Sequence, residues 1–162
     1  MIKSDELFGI LMNHDINTFH EVMDDIIARC VAIKRDVVEA DEFDKGERML
    51  LNFGHTLGHS IEQYYHYTGI SHGRAVAKGM EIITDLAEKR GMCRKGLTAD
   101  LCGCLKKYEL TRDIEPTPAQ LGSACMNDKK RDGSSIHVII CSDIGKSSAV
   151  KMSVADFNDF LA

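Results

Sequence analysis

The chain has 162 residues, a formal net charge of −5 and a pI near 5.8, and 44% of its residues are hydrophobic. The acidic balance excludes a protein that binds nucleic acid through a basic surface, and the ordinary composition excludes disordered and fibrous classes. The apolar runs are too short to cross a membrane, and the N-terminus does not have the pattern of a signal peptide. We therefore expect a cytoplasmic protein with a single helical domain over residues 1–162.

Helical periodicity dominates the first ninety residues. It predicts a short helix over residues 3–13, and then a long helix that begins at a capping box on Thr18 and ends near residue 40. A third helix is predicted over residues 47–66. After a loop, a fourth helix follows, and Gly91 provides its C-terminal stop.

The second half of the chain is more mixed. A helix is predicted over residues 98–108, and Thr117 with Pro118 begins another that ends near residue 126. Residues 136–141 read as a strand that pairs with residues 149–152, and Ser153 caps a last helix. The predicted fold class is mainly α, a multi-helix domain with one small β-hairpin near the C-terminus.

One polar stretch in the third predicted helix carries the candidate chemistry. His55 and His59 would stand one turn apart on one helix face, with polar residues on either side. His72 begins the next helix and could complete a divalent metal site with them. The alternative is a tightly packed helix with hydrogen-bonded histidines. The stretch reads Arg48-Met-Leu-Leu-Asn52-Phe-Gly-His55-Thr-Leu-Gly-His59-Ser-Ile-Glu62.

Glycine precedes both histidines of this stretch, at Gly54 and Gly58. A glycine in a helix interior costs roughly 1 kcal/mol relative to alanine, so the pair indicates close approach of a ligand or of another backbone. A zincin is excluded, because Thr56 stands where the His-Glu-x-x-His motif requires glutamate.

The six cysteines are scattered and include no Cys-x-x-Cys pair. Most lie in apolar helical or strand patterns, which predicts buried reduced thiols rather than a zinc knuckle or disulfides.

Several cations are candidates for binding carboxylate or phosphate, although each alone is more typical of a solvated surface charge. They lie at the N-terminus, in the long helix, at the start of the third helix and in a late polar turn: Lys3, Lys34, Arg48, Lys129 and Lys130.

Together these motifs closely resemble the C-terminal domain of 3-dehydroquinate synthase. The shared pattern runs from Lys34-x-x-Val-Val through Asn52-Phe-Gly-His55-Thr-x-Gly-His59-x-x-Glu62 to His72-Gly73 and Asp128-Lys-Lys130. The resemblance implies a lyase that converts 3-deoxy-arabino-heptulosonate 7-phosphate to 3-dehydroquinate and phosphate, in the shikimate pathway of aromatic amino acid biosynthesis. It also implies bound NAD, zinc or cobalt, and a homodimer of the complete enzyme.

The resemblance also assigns roles to individual residues. It makes His55 and His72 metal ligands, and the catalytic group it implies is His59, Asn52 and Asp44. The substrate-binding residues it implies are Lys3, Lys34, Arg48, Asn52, Lys129 and Lys130. It places no cofactor-binding residue in this chain, because NAD would be bound mainly by an N-terminal domain that these residues do not contain.

Three departures from the family pattern stand out. The third metal ligand, a glutamate, would fall just before Met1, Arg74 replaces the glutamate expected after His72-Gly73, and Asp44 replaces a longer acid. We therefore expect the isolated chain to be inactive. The alternatives are a related sugar-phosphate cyclase of the 2-deoxy-scyllo-inosose synthase type, or a non-catalytic module that pairs with a separate NAD-binding subunit.

Overall fold

The computed structural model describes residues 1–43, 46–129 and 135–162, and for residues 124 and 126–129 it describes the backbone alone. These residues form seven α-helices, two 3₁₀ helices and one antiparallel hairpin, which confirms the predicted fold class. The helices are α1 (Asp5–Asn13), α2 (Met23–Ala40), α3 (His55–Tyr64), α4 (His72–Lys89), α5 (Leu97–Lys107), α6 (Pro118–Lys129) and α7 (Val154–Leu161). The 3₁₀ helices span Phe19–Glu21 and Glu47–Asn52, and the strands are β1 (Ile136–Asp143) and β2 (Lys146–Met152).

The helix pair α3 and α4 lies at the centre, and the other elements pack around it. α6 packs on α3, α5 packs on α4, and the hairpin contacts α4, α7 and the second 3₁₀ helix. The largest fully buried side chains come from six elements, and the removal of their apolar area from water is the main stabilising term. These side chains are Leu57, Ile61, Ile83, Leu97, Leu121, Ile136, Val138 and Phe157.

Glycines allow α3 and α4 to approach each other closely. A Cβ added to Gly54 would lie 2.6 Å from the Val76 carbonyl oxygen, and one added to Gly58 would lie 3.1 Å from the Val76 Cα. A Cβ on Gly79, in α4, would overlap the Gly54 carbonyl oxygen. Of the two explanations for the glycines in the polar stretch, the structure supports close approach of another backbone.

Substituting Gly79 with alanine is expected to lower the free energy of unfolding by about 1–3 kcal/mol, because the methyl group would push two backbones apart. Gly103→Ala is the matched control. Gly103 lies in α5 with no atom within 4 Å of its added Cβ, so alanine there is expected to stabilise the chain by about 0.4–1 kcal/mol. Urea denaturation measures both changes, and an unchanged Gly79→Ala variant would contradict the close approach.

The predicted helix over residues 47–66 is wrong in its first third. The segment Glu47–Asn52 is a 3₁₀ helix, and Gly54 at φ 78° in the left-handed region interrupts the chain before α3. Arg48 and Asn52 therefore lie on a different element from His55 and His59. The histidines and Glu62 remain on one helix face, as the spacing predicted.

The capping box predicted at Thr18 is also wrong. The Thr18 hydroxyl accepts a hydrogen bond from the Asp15 N–H at 3.0 Å, so it caps no helix. Asp15 in turn accepts from the Asn17 N–H at 2.8 Å, which closes a side-chain turn that competes with helix formation. As a result, a short 3₁₀ helix comes first and α2 begins only at Met23.

Other predicted helix ends are confirmed. Gly91 at φ 69° accommodates the turn after α4, where the Met92 N–H donates to the Ala87 carbonyl at 2.9 Å in a Schellman arrangement. Thr117 caps α6 through the Gln120 N–H, and Ser153 forms a capping box at the start of α7. At the N-terminus, Ser4 caps α1, where the sequence analysis gave that helix no particular cap.

The N-terminus of α5 is capped by a side chain from α4. The Glu88 carboxylate accepts from the Gly96 N–H at 2.6 Å and the Thr98 N–H at 2.9 Å. These backbone hydrogen bonds favour the charged form, and they lower the pKa of Glu88 from 4.5 to about 2.

Glu88 is therefore expected to give the fold a stability that depends on pH. A group whose pKa is lower in the folded state stabilises above its unfolded pKa, and that contribution is lost as pH falls from about 4.5 towards 2. We expect the melting temperature of Glu88→Gln to be lower than wild type at neutral pH and to fall less steeply on acidification. Thermal melts between those pH values measure this, with exposed Glu21→Gln as control; parallel curves for wild type and Glu88→Gln would contradict it.

The cysteines are free thiols, as predicted, but their burial differs. Cys104 and Cys141 are buried, whereas Cys30 is exposed on α2, so the prediction of burial is wrong for Cys30. Burial raises the pKa of Cys104, and it raises the pKa of Cys141 to about 12.

The outer face of α2 is apolar and exposed. Met23, Ile27 and Val31, spaced four residues apart, are 41%, 51% and 63% exposed, and Lys34 follows on the same face. A contiguous apolar patch on a protein surface is often covered by another protein or another domain. Among the described residues, no helix is both long and apolar enough to cross a membrane.

Candidate active site

Three imidazoles meet where α3 and α4 approach each other. His55 and His59 stand one turn apart on α3, and His72 is the first residue of α4. The ring centroids are 5.7 Å apart for His55 and His59, 5.4 Å for His55 and His72, and 6.0 Å for His59 and His72. The structure therefore brings together the three histidines that the sequence singled out.

Two of the three rings are held through Nδ1 by an oxygen. His72 Nδ1 lies 3.1 Å from the Glu62 Oε1, and His55 Nδ1 lies 3.3 Å from the Phe53 carbonyl oxygen. Both oxygens are acceptors, so a neutral ring in either place carries its proton on Nδ1 and leaves the Nε2 lone pair free. His59 has no hydrogen-bond partner within the described part of the chain, and its side chain is exposed.

The arrangement fits a divalent metal ion. Two imidazoles bound to one tetrahedral metal at nitrogen–metal distances of about 2.0–2.1 Å place their ring centroids about 5 Å apart. The separation of His55 and His72, 5.4 Å, is close to that value. Nitrogen and carboxylate donors of this kind suit zinc and cobalt.

A second donor set overlaps the first. His59, Glu62 and His72 offer ligand atoms that all lie within 4.8 Å of one another. His72 belongs to both sets, so the two differ in whether His55 or His59 joins it. Of these two, His55 has an acceptor for Nδ1 within the described part of the chain, which is the usual arrangement for a histidine ligand.

The second 3₁₀ helix carries Arg48 and Asn52 and ends three residues before His55. Asp41 accepts hydrogen bonds from the Gly46 N–H at 2.7 Å and the Arg48 N–H at 3.1 Å, which fixes the start of that helix. The Arg48 guanidinium donates to the Glu42 carbonyl at 3.1 Å and leaves other donors for a ligand. Asn52 is exposed at the end of the helix, next to Phe53.

The first residues of the chain, which precede α1, bring Lys3 to the same 3₁₀ helix. The Met1 carbonyl accepts from the Gly145 N–H at 2.6 Å, and the Ile2 carbonyl accepts from the Ser147 hydroxyl at 2.8 Å, so the hairpin anchors this segment. Lys3 forms an ion pair with Glu47, a partner that the sequence analysis did not foresee.

The remaining predicted site residues are placed only in part. Lys34 is exposed on α2, which packs on the second 3₁₀ helix. Lys129 ends α6, and its side chain is outside the described part of the structure. Asp44 and Lys130 lie outside the described residues altogether.

Glu62 is the site residue whose role sequence reasoning missed. Its spacing put it in the polar stripe of α3, three residues after His59, but no local pattern links it to His72 ten residues later. Arg74 stands in the first turn of α4 and is exposed, where the resemblance led us to expect a glutamate. The carboxylate next to His72 is therefore supplied by α3.

Sequence comparison identifies relatives over nearly the whole chain. The profile of the 3-dehydroquinate synthase C-terminal domain matches residues 1–131. A 3-dehydroquinate synthase from Clostridium perfringens is 42% identical over 161 residues, covering 96% of this chain and 45% of that protein. One from Clostridium kluyveri is 40% identical, with 99% and 45% covered. The chain thus spans about half the length of the curated relatives it matches.

Solved structures show the same fold at lower identity. A 2-epi-5-epi-valiolone synthase from Streptomyces hygroscopicus, with NAD+ and Zn2+ bound, superposes with a TM-score of 0.81 at 23% identity, over 99% of this chain and 46% of that one. A 2-deoxy-scyllo-inosose synthase complexed with carbaglucose-6-phosphate, NAD+ and Co2+ gives 0.77 at 19% identity, over 99% and 47%.

Proposed function

The chain belongs to the 3-dehydroquinate synthase family, and on that premise we propose that it is the metal- and substrate-binding half of such an enzyme. The whole enzyme would convert 3-deoxy-arabino-heptulosonate 7-phosphate to 3-dehydroquinate and phosphate, as a carbon–oxygen lyase of the shikimate pathway. The observation that carries the proposal is the meeting of three imidazoles between α3 and α4, two of them held through Nδ1 by an oxygen.

The histidines would divide the work at the reacting centre. His55 and His72 would hold the metal through Nε2, which their Nδ1 contacts leave free. A metal held there would supply a Lewis acid for a substrate hydroxyl, and NAD in the complete enzyme would supply the hydride acceptor. His59, whose ring has no hydrogen-bond partner among the described residues, would take a proton from a substrate hydroxyl and return it.

The cations would bind the charged ends of the substrate. Arg48 presents the planar donors that suit a carboxylate, and Lys34 lies on the helix packed against the same element. Lys3 is proposed to bind phosphate, which would have to compete with Glu47 for its ammonium group. Roles for Asn52, Asp44, Lys129 and Lys130 in substrate binding or catalysis stay predictions from the resemblance.

An NAD-binding half is proposed as the partner of this chain. The chain covers 45% of the Clostridium perfringens protein, so that relative is about twice as long. The apolar outer face of α2, with Met23, Ile27 and Val31 exposed, ends at Lys34, which is one of the proposed substrate-binding residues. A second domain packed on this face would bury it and close the site, and the complete enzyme is proposed to be a homodimer.

Titration of the chain with Zn2+ or Co2+, followed by calorimetry, tests the metal site. We expect saturable binding of one ion per chain, because both possible donor sets include His72 and cannot be filled together. A titration that gives no more heat than that of a variant lacking both His55 and His72 would refute the proposal.

A further inference from the structure

Glu62 occupies an unusual position for a carboxylate. Its side chain is only 13% exposed, whereas its partner His72 is 57% exposed. A carboxylate that is withdrawn from water needs a hydrogen-bond donor, and the Nδ1 of His72 at 3.1 Å is the partner recorded for it. The contact therefore joins the side chain of Glu62 on α3 to the side chain of His72, the first residue of α4.

The contact decides which nitrogen of His72 carries the proton. A carboxylate can only accept, so the Nδ1 of a neutral His72 must be the donor and Nε2 must keep its lone pair. A free imidazole has no such constraint, and its ring can also rotate about χ2. Glu62 thus fixes both the tautomer and the ring orientation.

We propose that Glu62 is a positioning residue that holds the Nε2 lone pair of His72 towards the metal site. The inference rests on the proposed function, because it takes His72 as a ligand. The glutamate lies on α3, in the polar stretch that matches the family pattern, and the contact joins it to the first residue of α4. A carboxylate behind a ligating histidine raises the basicity of the ring and removes its rotational freedom.

The tautomer of His72 in the metal-free protein tests the proposal directly. Long-range 1H–15N NMR correlations distinguish the two neutral tautomers from each other and from the doubly protonated ring. Peaks of His72 are assigned by their loss in His72→Ala. We expect a proton on Nδ1 in the wild type, a shift towards the Nε2-protonated form in Glu62→Ala, and a smaller shift in Glu62→Gln, whose amide oxygen can still accept.

Metal affinity supplies a second readout. Glu62→Ala is expected to lower Zn2+ affinity about 10–100-fold, the usual effect of losing the partner of a ligand. Gln63→Ala, the next and exposed residue of α3, is the matched control and should bind normally.

Two results would overturn the inference. An unchanged tautomer in metal-free Glu62→Ala would do so, and if affinity still fell, Glu62 would be a direct ligand with His59 and His72. Unchanged affinity despite a changed tautomer would show that the contact does not serve the metal. If the wild type binds no metal, the proposed function fails at that point, whereas the NMR result still reports whether Glu62 orients the ring.

Discussion

Replacing His72 with alanine is expected to lower the affinity of the chain for Zn2+ or Co2+ by at least about 100-fold, because His72 belongs to both donor sets that the structure offers. Loss of a residue that merely supports a ligand costs 10–100-fold, and loss of a ligand should cost no less. Calorimetry measures the affinity, and the visible absorption of Co2+ reports a change in coordination.

Single variants of the other two histidines separate the donor sets. If His55 is the second ligand, His55→Ala should lose affinity to a similar degree, whereas His59→Ala should bind nearly as well as the wild type. The reverse order would instead favour the set of His59, Glu62 and His72. His137→Ala, on the exposed face of β1, controls for loss of an imidazole elsewhere. Normal binding by His72→Ala would contradict both assignments.

The chain alone, supplied with metal, NAD and 3-deoxy-arabino-heptulosonate 7-phosphate, is expected to release phosphate no faster than the uncatalysed reaction. Hydride transfer requires the reacting atoms to be held about 3–3.5 Å apart, and the roles proposed for the residues of this chain are to hold a metal and an anionic substrate, not a nicotinamide ring. Adding the N-terminal half of the Clostridium perfringens relative as a separate polypeptide is expected to raise the rate by about 10⁶-fold or more.

Two variants in the mixed assay show whether the added rate depends on this chain. His59→Ala should lower kcat about 10²–10⁴-fold if it transfers a proton, whereas His137→Ala should have no effect. Phosphate release is measured for both. Turnover by the isolated chain, or turnover of the mixture that survives His59→Ala, would contradict the division of roles proposed here.

The same assay distinguishes a dehydroquinate synthase from a related cyclase. Arg48 offers planar guanidinium donors, which match the carboxylate of the heptulosonate but have no such partner in sedoheptulose 7-phosphate. We therefore expect turnover with the heptulosonate and little turnover with sedoheptulose 7-phosphate, which has no carboxylate. Preference for sedoheptulose 7-phosphate would favour the cyclase alternative.

Sequence reasoning located the histidines but not the element boundaries around them. The i, i+4 spacing of His55 and His59 survives because it depends on one helix alone. The break before that helix depends on Gly54, whose left-handed conformation follows from the packing of α4 against it, and a helical period cannot show that. For the same reason, Arg48 and Asn52 were assigned to the wrong helix.

Contacts between elements that are distant in sequence were the hardest to foresee. The pairs Lys3 with Glu47 and Glu62 with His72 depend on how the hairpin and α4 pack, and neither pair has a local signature. Thr18 shows the converse problem, since it has the sequence pattern of a capping box but its hydroxyl takes part in a turn with Asp15 instead. The resemblance pointed to His55 and His72, whereas the oxygen atoms that contact their Nδ1 atoms became known only from the structure.

The exposed thiol of Cys30 makes the outer face of α2 open to chemical labelling. Cys30 is exposed three residues after Ile27, whereas burial raises the pKa of the thiols at positions Cys93, Cys102, Cys104 and Cys141 and so suppresses their reactive thiolates near neutral pH. A maleimide dye should therefore attach preferentially at Cys30. Its fluorescence, or its protection from alkylation, would then report when another protein covers α2.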